Sequence, residues 1–230
     1  MTAIVAAVPP ADGFWRVGRN GPVNDEFRRP LRVDDTNPLS GNRFDSFTGS
    51  YGTLYFGTTL EVCFAETLAR FRPKPALLEL VDEEWDANGW MRPGNVSADW
   101  RLGRMIQRSI VDESLPFVDI DHPDTLAALN TIPELMAGLT RFGVDDLDLG
   151  VIAGPDRRVT RFVAEFLYDA TDHNGDAVWS GIRYISRLGE GWECWAVFEG
   201  AEVREVNRRS IGGDDPDLLA VAERYRLTIH

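Results

Sequence analysis

The sequence predicts an α+β fold in one domain, residues 1–230, and three observations carry that prediction. Strand-like and helical runs follow one another without the regular strand–helix–strand alternation of a parallel doubly wound sheet. Hydrophobic residues make up 43% of the chain and include seven tryptophans, enough to bury a core at this length. No internal repeat or low-complexity linker divides the chain.

The elements follow in order. GFWRVG (13–18) reads as a strand, β-formers between glycines with Arg16 in the middle. Residues 19–42, rich in Gly, Pro, Asn, Asp and Arg, read as loop. GTLYFG (52–57) is a second strand. Thr58 with Glu61 has the form of a capping box and opens a helix that runs to about Arg70, before Pro73. ALLELV (76–81) reads as a strand. The middle of the chain reads as more helical. ADWRLGRMIQRSI places Trp100, Met105, Ile106 and Ile110 among arginines in an amphipathic pattern, and TLAALNTIPELMAGLTRF continues it. DRRVTRFVAEFLYDA (156–170) is a further helix, with Val159, Phe162, Val163, Phe166 and Leu167 on one side. IRYIS, ECWAVFEG and EVREV then read as strands.

Composition excludes several classes. The formal charge is −13 and no basic run stands against it, so direct nucleic-acid binding is not expected. MTAIVAAVPP lacks the positive region of a signal peptide, and no run approaches the ~20 apolar residues of a membrane span, so a soluble cytoplasmic protein is expected. Cys63 and Cys194 lie in apolar runs and read as buried free thiols. Neither the scattered histidines nor DIDHPD (119–124) forms a metal motif, and DIDHPD reads as a solvated acidic loop; no metal is expected. Arg157 and Arg158, near a helix start, could meet an anion but read more readily as exposed surface. With one lysine against 23 arginines, an anion site here would be an arginine site of planar, bidentate geometry.

One residue does not fit its surroundings. In SYGTLYFGTTLEVCFAETL (50–68), Leu60, Phe64, Thr67, Leu68 and Phe71 share one helix face, and the opposite side holds Val62, Ala65, Glu66 and Ala69. That side is not a solvated face, so Glu66 reads as partly buried and in need of a partner. Helix geometry alone favours an i,i+4 pair with Arg70. Tyr55, on the opposite strand face from Leu54 and Phe56, could border the same cleft as Glu66. Arg43 in GNRFD and Arg183, Tyr184, Ser186 and Arg187 in SGIRYISR add guanidinium groups, a ring and a hydroxyl.

FWRVG, GNRFDSFTGSYGTLYFGTTLEVCFAETL and WSGIRYISR together resemble the RES domain, a family named for Arg, Glu and Ser that includes toxins of RES–Xre toxin–antitoxin pairs. The resemblance implies an ADP-ribosyltransferase-like fold and degradation of NAD by hydrolysis or phosphorolysis. NAD is then substrate rather than cofactor, with inorganic phosphate as a co-substrate in the second case. An Xre-type antitoxin and a second copy of the chain are the partners it implies. Carried over by position, the site residues are Arg16, Arg43, Tyr55, Glu66 and Ser186. Two departures stand out: residues 82–150 read as a helical insertion, and Ile185 replaces the usual proline before the serine.

The chemistry suits these residue types. Nicotinamide leaves NAD as a neutral molecule and needs no general acid. The oxocarbenium-like ribose needs nearby negative charge, which Glu66 would supply. Tyr55 would stack on or hydrogen-bond near the ribose, Arg16 and Arg43 would bind phosphates, and Ser186 would position a ribose or amide group. Transfer of ADP-ribose to a macromolecule, or nucleotide binding without turnover, are the alternatives.

Overall fold

The computed structural model describes residues 3–20, 27, 29, 30, 34, 36–79, 81, 85, 91–111 and 115–230. Among these, one eight-stranded mixed sheet forms the centre. Its strands are β1 (Ala6–Ala7), β2 (Phe14–Arg19), β3 (Thr53–Gly57), β5 (Arg104–Val111), β6 (Phe117–Asp119), β7 (Gly181–Ile185), β8 (Glu193–Phe198) and β9 (Val203–Ser210). They lie in the order β1-β6-β7-β8-β3-β2-β5-β9, and only the β6–β7 pair is parallel. A parallel pair of short strands, β4 (Asn95–Val96) and β10 (Thr228–Ile229), stands apart. The fold class is α+β, as expected.

Strand alternation sorts the core into two layers. Leu54 and Phe56 of β3 join Phe14, Phe117, Trp195 and Val197 in one cluster. Tyr55 packs on the other, larger cluster with Val17, Ile182, Tyr184, Cys194 and Ala196. The helix α1 (Leu60–Leu68) lies on this second face with Leu60, Val62, Cys63, Phe64, Ala65 and Leu68 buried. Fully burying a side chain such as Phe64 or Leu68 contributes about 1.5–3 kcal/mol, so α1 is a firm platform. The helix α7 (Arg157–Tyr168) buries Val159, Val163, Ala164 and Leu167 in the same cluster.

Several expectations are corrected. The N-cap of α1 is Thr59, whose hydroxyl accepts from the Val62 amide; Thr58 instead donates to Glu193 at 3.0 Å and accepts from the Trp195 indole at 2.9 Å. Residues 76–81 are not a strand: α2 (Pro75–Leu78) starts on Pro75, whose missing N–H costs nothing at a helix N-terminus, and residue 80 lies outside the described set. ADWRLGRMIQRSI is not one helix. It makes α3 (Ala98–Leu102), capped at Gly103, and then β5. The apolar positions fit either period, and pairing between β2 and β9 decides for a strand. Within the segment 82–150, read as helical, β5 and β6 are strands of the main sheet. The following run divides into α4 (Pro123–Asn130) and α5 (Pro133–Thr140) at Pro133, ahead of the short α6 (Leu149–Ala153). The helix α8 (Pro216–Tyr225) packs on α1. Among the described residues no helix is long and apolar enough to cross a membrane.

Candidate active site

A cleft of about 490 Å³ opens beside α1, and its walls include Arg16, Arg43, Tyr55 and Glu66. That is the size range of small-molecule sites. The helix presents Val62, Cys63, Glu66 and Thr67 to it, and the tight turn that follows adds Ala69 and Arg70. The side of α1 that lacked a solvated character therefore lines a cleft. Glu66 itself is exposed there, which corrects the expectation of partial burial. Among the described residues there is no Glu66–Arg70 ion pair; Arg70 stacks its guanidinium on Phe71, 4.6 Å from the ring centre.

The partner of Glu66 is Ser186. Its hydroxyl donates to Glu66 Oε1 at 2.5 Å and accepts from the Leu188 amide at 3.0 Å. Ser186 follows directly on β7 and is only 5% exposed, with its own amide donating to the Trp192 carbonyl at 2.7 Å. The serine proton is committed to the carboxylate, so one Glu66 oxygen is fixed and the other is left toward the cleft. Ser186 does not read as a nucleophile, because the three histidines lie elsewhere: His122 caps α4, His173 adjoins Asp172 and His230 meets Asn95.

Tyr55 faces the cleft because β3 alternates. Its hydroxyl donates to Asp45 Oδ1 at 2.9 Å and accepts from the Phe44 amide at 2.9 Å. Burial, with the Asp45 charge second, pushes the phenol pKa well up, so it stays a neutral donor. With the hydroxyl so engaged, Tyr55 ties down the loop that carries Arg43. Arg43 donates to the Ile152 carbonyl at the end of α6 and lies 5.5 Å from the ring centres of both Phe44 and Tyr184. Its Nε is buried without a hydrogen-bond partner. Burial and the charge of Arg187 lower its pKa, and Tyr184, Asp121 and Glu66 oppose that; a guanidinium remains cationic throughout. Arg16 borders the cleft with its guanidinium carbon 5.9 Å from the Phe56 ring centre. All five expected residues are thus brought together, four on the walls and Ser186 behind Glu66.

The structure adds residues that the motifs did not select. Arg157, read as surface, and Arg187 both line the cleft. Arg157 donates to the carbonyls of Leu39, at 2.9 Å, and Gly41; Arg187 reaches those of Ala153 and Gly154 at 3.4 Å. DIDHPD is not a solvated loop: Asp119 pairs with Arg183 at 3.1 Å, and Asp121 accepts from the Ile185 amide. Burial pushes the Asp121 carboxyl up, and the Ile185 amide and Arg43 pull against it. Asp121 thereby supports the backbone leading into Ser186. The signals were present as an arginine pair at a helix start and an arginine directly after the serine.

Electrostatically, five arginines (16, 43, 70, 157 and 187) and one carboxylate line a single cleft in a chain of net charge −13. Arg43, Arg157 and Arg187 donate to backbone carbonyls, so their charge stays available to an anion. Among the described residues no cluster of side chains suits a metal ion. Both cysteines are free and buried; burial pushes the Cys63 thiol up to about 12, which makes it inert.

A family model described as the RES domain matches residues 14–219. Among solved structures, the crystal structure of the M. tuberculosis MbcT–MbcA toxin–antitoxin complex is similar over 97% of this chain and 93% of that chain, at 12% identity and a TM-score of 0.48. No curated protein matches the chain. With the match running from β2 into α8, the chain belongs to the RES domain family.

Proposed function

We propose that this protein degrades NAD by cleaving the bond between nicotinamide and ribose. The observation that carries this reading is Glu66, held by Ser186 at 2.5 Å, standing in an arginine-lined cleft. The arginines suit the diphosphate of a dinucleotide. Glu66 lies where a carboxylate could face the ribose and stabilise positive charge as the glycosidic bond opens. The electron pair of that bond passes to the pyridinium nitrogen, nicotinamide leaves neutral, and water or phosphate attacks the anomeric carbon. Ser186 orients the carboxylate and withholds one oxygen from solvent. Tyr55 offers its ring to the ligand and its hydroxyl to the Arg43 loop.

Membership of the family also supports a role as the toxin of a toxin–antitoxin pair, with an Xre-type antitoxin and a second copy of the chain as partners. The deciding experiment incubates purified protein with NAD, with and without phosphate, and identifies products. Nicotinamide with free ADP-ribose supports hydrolysis, and nicotinamide with ADP-ribose phosphate supports phosphorolysis. Label from NAD stable on a macromolecule would instead show ADP-ribosyl transfer. Absence of nicotinamide release would refute the proposal.

A further inference from the structure

The loop of residues 39–50 delivers Asn42 and Arg43 to the cleft, yet it has no helix or strand of its own. Its support comes from one row of α7. Arg157, Arg161 and Glu165 stand at i, i+4 and i+8, so they share a helix face, and all three bond to this loop. Arg157 takes the carbonyls of Leu39 and Gly41. Arg161, 1% exposed, donates to the carbonyls of Ser46 at 2.8 and 3.3 Å, Phe47 at 3.3 Å and Ser40 at 3.4 Å. Glu165 gathers the donors: the Phe47 amide at 2.5 Å, the Thr48 amide at 3.1 Å, and the hydroxyls of Ser46 at 2.7 Å, Ser50 at 3.2 Å and Thr48.

No carboxylate pairs with Arg161 among the described residues, so its buried charge is met by loop carbonyls and by the Phe47 ring, 5.7 Å away. A buried charge is costly unless hydrogen-bonded, and here the loop supplies the hydrogen bonds. The cation and the anion thus divide the loop's peptide groups between them, carbonyls to Arg161 and amides to Glu165. Between the Ser40 and Ser46 carbonyls held by Arg161, Tyr55 holds the Phe44 amide and Asp45, with Arg43 next to them.

We infer that Arg161 and Glu165 are positioning residues, which hold the 39–50 loop so that Arg43 is presented to the phosphates of the substrate. The inference rests on reading the cleft as a dinucleotide site. If the loop samples other arrangements, apparent affinity falls by the fraction in which Arg43 is in place.

The test uses full-length Glu165→Ala and Glu165→Gln, with Arg161→Lys as a third variant, and inorganic pyrophosphate as probe. Glu165→Ala is expected to speed amide exchange in 46–50 with β7 and β8 unchanged, and to weaken pyrophosphate binding by about tenfold, with Glu165→Gln between it and the parent. The KM for NAD should rise by a similar factor with kcat changed less. A folded Glu165→Ala that binds pyrophosphate as the parent does, or shows parental exchange in 46–50, overturns the inference. So does a parent protein that binds no pyrophosphate. A parent that binds pyrophosphate in a Glu165-dependent way but releases no nicotinamide would refute the proposed reaction and leave the positioning role standing.

Discussion

Replacement of Glu66 by glutamine separates a chemical role from a structural one. The side chain is exposed, and its hydrogen bond is the one from Ser186 to Oε1. Glutamine keeps a carbonyl oxygen at that place, so the serine retains an acceptor and folding stability should move by no more than about 0.5 kcal/mol. The reaction loses the charge. A carboxylate ~4 Å from a unit positive charge is worth ~4 kcal/mol at an effective dielectric of ~20, and the open setting of Glu66 makes this an upper bound. At about 1.4 kcal/mol per factor of ten, the ceiling is close to a thousandfold. Loss of one electrostatic contact of this kind costs about 10²–10³ in kcat. The assay is chromatographic release of nicotinamide at saturating NAD, with thermal unfolding run on the same preparation. A Glu66→Gln protein with parental melting and turnover within threefold of the parent would refute the role of the carboxylate.

Other outcomes follow from the same geometry. Ser186→Ala removes a hydrogen bond to a charged group, of a kind worth about 1.5–3 kcal/mol, and should slow nicotinamide release by roughly 10–100-fold without loss of fold. Tyr55→Phe leaves the Phe44 amide and Asp45 without the phenol. It should cost about 1–3 kcal/mol in denaturant unfolding and raise the KM for NAD. Acid stability should report on Glu165. Burial pushes its pKa up, but hydrogen bonds from Thr48, Ser46 and the Thr48 and Phe47 amides outweigh this and leave it below its ordinary 4.5. A lowered folded pKa gives stability that is present above about 4.5 and fades as pH falls below it. Unfolding titrations should therefore show a shallower acid limb for Glu165→Gln than for the parent.

How much was legible from the residues depended on whether a local signal was unique. Alternation placed β2, β3, β7 and β8, and with them the opposed faces of Tyr55 and Phe56. The misfit of Glu66 on α1 pointed to a cleft, because a nearly unbroken apolar helix gives a carboxylate no ordinary place. Helix geometry alone favoured Arg70, four residues away, whereas Ser186 lies 120 residues away, and no helical rule reaches across a fold. The strand β5 was missed because Trp100, Met105, Ile106 and Ile110 fit two periods, and only pairing with β2 and β9 resolves them. Thr58 and Thr59 are equally good caps by type, and the strand end at Gly57 selects the second. Asp121 and Arg161 were out of reach for the same reason as the Glu66–Ser186 bond, since their partners too lie far along the chain.

The contrast between cleft and remainder has a kinetic consequence. A dinucleotide that carries its own negative charge is repelled by most of an acidic molecule and attracted over one mouth. Through the two contributions, salt moves the encounter rate in opposite directions. Added ions weaken both, the repulsion from distant body charges first, because beyond a Debye length of ~8 Å at physiological salt it is largely screened, and the short-range attraction later. Encounter rates should therefore depend weakly on ionic strength near physiological salt and fall only at higher concentrations. Neutralising body carboxylates far from the mouth should speed capture without touching any residue that meets the substrate.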